Sequence, residues 1–122
     1  MTSLTATPEA PAGRGARRLA ELIERDGEAC VWCGRELWRR DLSLEHLCPR
    51  SRGGSTEEEN LLVACRTCNR ARRSKSPAAF ARQREREGFA PRWAVIKAGL
   101  QRLSDSARRL HRDYAAEQLR HL

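Results

Sequence analysis

The pattern of apolar and polar positions divides the chain into short elements. Over residues 14–26, Leu19, Leu22 and Ile23 share one face of an otherwise polar stretch, which predicts a helix ended by Gly27. Residues 42–47, LSLEHL, alternate apolar and polar and predict a strand. Pro49 and the Gly53-Gly54 pair then force a loop. Leu61, Leu62 and Val63 form a short apolar run that suits a strand or a buried helical turn equally. Asn69 to Ser74 open a helix, Pro77 starts another that runs to Gly88, and Pro91 starts the last. Over 92–120, Trp93, Ile96, Leu100, Leu103, Ala107, Leu110 and Tyr114 recur by threes and fours. That spacing predicts one long amphipathic helix, packed on its own domain or serving as a dimer seam, so monomer and homodimer both stay open. The organisation expected is a disordered tail over 1–13, a domain over 14–90 and a C-terminal helix over 91–122.

At 122 residues with 5% aromatics, the chain fits one small domain with a thin core. The cysteines change that picture. Cys30 and Cys33 form one Cys-x-x-Cys pair, and Cys65 and Cys68 form a second. Four thiolates spaced this way suit a tetrahedral structural Zn²⁺, which stabilises a small fold and leaves no coordination position open for catalysis. The fifth cysteine, Cys48, reads as a small buried hydrophobe. No apolar run is long enough for a signal peptide or membrane span, so no membrane partner and a cytoplasmic setting with reduced thiols are expected.

Charge is uneven: residues 1–69 carry 10 basic and 11 acidic groups, residues 70–122 carry 14 and 5. A basic half points to a polyanion, most simply nucleic acid.

Between the cysteine pairs runs LEHLCPRSRGGSTEEENLL, followed by VACRTCNRAR. This stretch resembles the HNH endonuclease family, the ββα-metal finger nucleases. The family shows an acidic residue or His, then His, x-x-Pro, a Gly-Gly loop, Asn before an apolar pair, and Cys-x-x-Cys followed by Asn or His. Those positions are Glu45, His46, Pro49, Gly53-Gly54, Asn60 with Leu61-Leu62, Cys65, Cys68 and Asn69, and Cys30 and Cys33 mark the zinc-bearing subclass. The resemblance implies an α+β fold: a small ββα-metal core clamped by the four-cysteine zinc site, flanked by N- and C-terminal helices. It also implies a metal-dependent endonuclease acting on DNA, most simply double-stranded. His46 would be the general base, Glu45 and Asn69 would hold a catalytic Mg²⁺ or Mn²⁺, and Asn60 would tie the loop that positions His46. The family more often has Asp where Glu45 stands and His where Asn69 stands.

These roles agree with elementary chemistry. A histidine with an ordinary pKa of ~6.5 can take a proton from water near neutral pH, and a hard cation with oxygen ligands can relieve phosphate charge. Adjacent strand residues face opposite ways, so Glu45 and His46 converge on one site only if the strand twists or bulges there. Arg50 and Arg52, after His46, and Arg70, Arg72, Arg73 and Lys75, after Asn69, are the expected phosphate contacts. Arg102, Arg108, Arg109 and Arg112 would extend that surface along the last helix. Trp32 and Trp38 are expected to pack, and His111 and His121 are given no role. The alternative is a non-catalytic zinc-knuckle module that binds nucleic acid. Asn60 and Asn69 would then act as helix caps.

Overall fold

The structure is a computed structural model and describes residues 13–122; the tail expected over 1–13 lies outside them except for Gly13. Among the described residues, five α-helices and a two-stranded antiparallel sheet make up an α+β fold. Helix α1 (Arg14–Asp26) buries Leu22 and Ile23 and stops at Gly27, whose N–H bonds Ile23 O at 2.7 Å. Strands β1 (Leu42–His46) and β2 (Leu61–Cys65) pair in the register Leu42↔Cys65 to His46↔Leu61. The ambiguous apolar run is therefore a strand. Every residue of β2 is buried, since α1 packs on it and the Cys30–Cys33 turn bonds its edge through Val31 N and Val63 O at 2.9 Å.

Helix α2 (Arg66–Arg72) starts directly after β2, three residues earlier than the sequence pattern predicts. Cys65 is its N-cap, with Sγ accepting from Cys68 N at 3.4 Å, so Asn69 lies inside the helix and does not cap it. Helix α3 (Pro77–Arg86) opens with Pro77 at its first turn and Ser76 Oγ accepting from Ala79 N at 3.2 Å. The core joins Trp32, Leu22, Leu47, Leu62, Phe80, Ile96, Leu100 and Leu103. Trp32 meets Phe80 edge to face at 5.4 Å. Trp38, expected to pack, is 73% exposed.

The predicted long C-terminal helix is two helices, α4 (Trp93–Ser104) and α5 (Arg109–Leu119), packed on each other. The chain breaks at 105–108 because side chains satisfy the freed backbone groups. Arg112 Nη1 donates to Ser106 O at 2.9 Å and Ala107 O at 3.0 Å, and Ser106 Oγ accepts from Arg108 N at 3.0 Å. Of the stripe beyond Leu103, Ala107 and Leu110 are exposed and Tyr114 is buried. Leu110 is 45% exposed, and the buried face of α5 is His111, Tyr114, Ala115 and Gln118. Upstream, Ile96, Leu100 and Leu103 are buried within the chain itself. Gly99 lets α4 approach the core, since a Cβ there would lie 2.9 Å from Leu47 Cδ2. Among the described residues no helix is long and apolar enough to cross a membrane.

Candidate functional site

The four paired cysteines converge. Cys30, Cys33, Cys65 and Cys68 place their sulfurs within 4.8 Å of one another, all are buried, and none is in a disulfide. Backbone N–H groups of Trp32 and Cys33 point at Cys30 Sγ at 3.3 and 3.5 Å, and Arg35 Nε donates to Cys33 Sγ at 3.3 Å. Cys68 donates to Cys30, which lowers the Cys30 thiol to about 4, whereas Cys68 is pushed up by keeping that proton. Soft sulfur donors in a closed buried set, with N–H groups directed at the thiolates, fit a metal such as zinc. Cys48 is buried apart from them, and burial raises its thiol.

This cluster joins the first knuckle to the start of α2 and so sets α2 across the end of β1. Asn69 donates through Nδ2 to Leu44 O at 2.7 Å and Ser43 Oγ at 3.0 Å. That orientation leaves Oδ1 as its free ligand atom. His46, at the last position of β1, is half-buried, with Nε2 3.3 Å from Thr56 Oγ1. Its pKa is lowered, chiefly by burial and then by the charges of Arg50 and Arg72, which keeps the imidazole neutral near pH 7.

Glu45 turns to the opposite side, as strand alternation requires. It is 5% exposed, Trp32 Nε1 donates to Oε2 at 2.6 Å, and Arg72 Nη1 lies 3.7 Å from Oε1. Burial raises this carboxyl to about 7, with Arg72 and the Trp32 bond opposing the rise. The carboxylate is thus held from the interior, with Oε1 in a loose ion pair beyond hydrogen-bond distance.

Asn60 is fully buried and closes the loop after His46. Its Oδ1 accepts from Cys48 N at 2.8 Å, and its Nδ2 donates to Cys48 O at 3.0 Å and Ser55 O at 2.8 Å. It caps no helix. Gly54 passes so close to this tie that a Cβ would lie 1.8 Å from Cys48 O. No side chain larger than hydrogen fits there.

Of the expected phosphate contacts, Arg50, Arg52, Arg70, Arg73 and Lys75 are exposed. Arg72 is a correction. It is 0% exposed and donates to His46 O and Leu47 O at 2.7 Å, Lys75 O at 2.9 Å and Tyr114 Oη at 3.2 Å, while stacking over Trp32 at 5.0 Å. A guanidinium with its donors committed inside the protein has none to offer a phosphate. Arg108 and Arg112 are exposed, and donate to Glu57 and to the α4–α5 corner respectively. Sequence reasoning missed Arg72's structural role, Thr56 and His111. His111 shares a helical face with Tyr114, Ala115 and Gln118, a signal visible only if the helix restarts near residue 109.

Residues 30–85 match the HNH endonuclease family model. The CRISPR-associated endonuclease Cas9 of Corynebacterium diphtheriae is 30% identical over 74 residues, covering 60% of this chain and 7% of that protein. The one from Actinomyces naeslundii is 36% identical over 61 residues, covering 50% of this chain and 5% of that protein. The chain therefore spans a small fraction of these curated relatives. The crystal structure of the Type II-C Cas9 enzyme from Actinomyces naeslundii superposes with a TM-score of 0.55 at 22% identity, covering 91% of this chain and 12% of that one, a likeness of fold. Over residues 30–85, just under half of its length, the chain is therefore similar to the HNH endonuclease family.

Proposed function

We propose that this domain hydrolyses phosphodiester bonds in double-stranded DNA with a divalent metal, and that His46 is its general base. The observation that carries the reading is the placement of His46. A neutral, half-buried imidazole stands at the end of β1, beside exposed Arg50, with Asn69 fixed to the same strand two residues away. One ring nitrogen faces Thr56, which leaves the other to take a proton from water. Glu45 Oε1 and Asn69 Oδ1 are the oxygens that would hold Mg²⁺ or Mn²⁺. When bound, such an ion stabilises charge on the phosphate and leaving oxygen. Zn²⁺ on Cys30, Cys33, Cys65 and Cys68 would fix α2, and with it Asn69, against β1. Arg50, Arg52, Arg70, Arg73 and Lys75 contact phosphates and position the duplex without reading sequence. A cytoplasmic setting suits the reduced thiols.

One observation favours the rival, a non-catalytic nucleic-acid-binding module: Glu45 is engaged by Trp32 and Arg72. Incubation of supercoiled plasmid with Mg²⁺ or Mn²⁺ separates the two. The nuclease reading expects nicking that His46→Ala reduces by about 10²–10⁴-fold while leaving DNA binding intact. Binding without nicking at any metal concentration selects the rival.

A further inference from the structure

The segment between Gly54 and Asn60 has two sides. Its odd-numbered residues all meet the corner between α4 and α5. Ser55 donates its N–H to His111 Nε2 at 3.1 Å. Glu57 accepts from Arg108 Nε at 2.9 Å and Nη2 at 3.0 Å, a two-pronged pair. Glu59 lies 2.6 Å from His111 Nδ1 and also accepts from Ser106 Oγ. Thr56 lies between them and meets His46 instead. Its carbonyl accepts from Arg18 of α1.

The state of His111 follows from its partners. Nε2 accepts from a backbone N–H, so it bears the lone pair. Nδ1 then carries the proton and donates it to the Glu59 carboxylate. His111 is 0% exposed, so both ring nitrogens are committed to this segment. A fully buried histidine, a bidentate arginine and a serine, all from one corner, fix a run of five residues whose own backbone forms no sheet with any neighbour. Stability alone does not call for such dense tethering of a surface loop.

We infer that the α4–α5 corner is a clamp that positions Thr56, and that the Thr56 hydroxyl sets the ring orientation and tautomer of His46. His111, Arg108 and Thr56 are positioning residues for the base. For Nδ1 to act as the base, Nε2 must carry the proton and donate it to Thr56 Oγ1, 3.3 Å away. Without that hydroxyl the ring is free to rotate about its side-chain bonds and to exchange tautomers. The inference rests on His46 being the base for its effect on turnover, but its structural half stands independently of catalysis.

The test uses the zinc-loaded chain and reads the His46 ring nitrogens by long-range ¹H–¹⁵N NMR, with plasmid nicking measured in parallel. The wild type should show His46 as a single Nε2–H tautomer. Thr56→Val, which keeps side-chain shape, should mix the tautomers and lower kcat for nicking by ~10–100-fold with KM unchanged, the scale of a misplaced catalytic group. His111→Ala should do the same to the His46 signals from the far side of the loop. Glu57→Gln, which loosens only the Arg108 pair, should give a smaller shift in the same direction and serves if His111→Ala does not fold. Thr56→Val with an unchanged His46 spectrum overturns the clamp whatever the nicking result. A mixed tautomer in Thr56→Val with no nicking by the wild type upholds the clamp and refutes the nuclease reading instead.

Discussion

Replacing Arg72 by methionine should destabilise the folded domain by about 3–5 kcal/mol, the range for breaking one half of a buried ion pair. The structure supplies the reason. The guanidinium is the donor for His46 O, Leu47 O and Lys75 O, and each buried acceptor that loses its donor costs about 1–3 kcal/mol unless water replaces it. Methionine keeps most of the volume against Trp32, so the cavity contribution is small. The Glu45 carboxylate loses its only cation among the described residues, and this contribution depends on pH. Burial already raises Glu45 to about 7 from an ordinary 4.5. A carboxyl raised on folding favours the native state below its unfolded value, and that stability is lost as pH rises through the folded value. Removing Arg72 raises the folded value further, so the loss extends to higher pH. The difference between wild type and Arg72→Met should therefore be larger at pH 8 than at pH 6. Urea unfolding at both pH values, with zinc saturating and m-values compared, measures it. Against a typical total of about 5–15 kcal/mol the effect is easily resolved. A difference under about 1 kcal/mol, or one independent of pH, would refute the assignment of Arg72 as the interior pin of the His46 turn.

Other perturbations probe other parts. Cys65→Ser should abolish stoichiometric zinc by elemental analysis and cost folding by circular dichroism, whereas Cys48→Ser should keep its zinc, because Cys48 lies outside the sulfur cluster. Arg50→Gln removes a charge that lowers the His46 pKa, so that pKa should rise; the acid limb of the nicking rate should then shift to higher pH, and an unshifted limb would separate Arg50 from the base. Gly54→Ala must displace the Cys48 carbonyl or the Asn60 amide, at about 1–3 kcal/mol for overpacking, and thermal melting that matches the wild type would show that the loop tie yields without cost.

Much of the core was legible in the chain because its signals are local. The two-residue gap in each cysteine pair, the alternation of LSLEHL, the Gly-Gly turn and the Asn before Leu61-Leu62 are spacings within a few residues, and they place β1, the loop and α2 in order while leaving the run that became β2 open between strand and helical turn. The four-cysteine cluster needed one step more, since it joins pairs 35 residues apart, but four soft ligands in two such pairs suit one metal ion. What the spacing did not show is which way a polar side chain faces once the elements pack. Arg72 sits in a basic run that reads as a phosphate-contacting surface, yet its partners Leu47 and Tyr114 lie 25 and 42 residues away, and only their assembly makes an interior site for a guanidinium. Strand alternation predicted that Glu45 would face away from His46, but Trp32, 13 residues upstream, is what holds it there. The stripe from Trp93 to Tyr114 kept its period through a break that it could not register, because the carbonyls of Ser106 and Ala107 are satisfied by the Arg112 side chain and not by the helix. His111 meets Ser55 across 56 residues, so its role arises from that break and from the packing of α5 on the loop. Periodicity describes which face of an element is apolar, whereas the partner of a buried polar group is decided by tertiary packing, since an unpaired group there is too costly to keep.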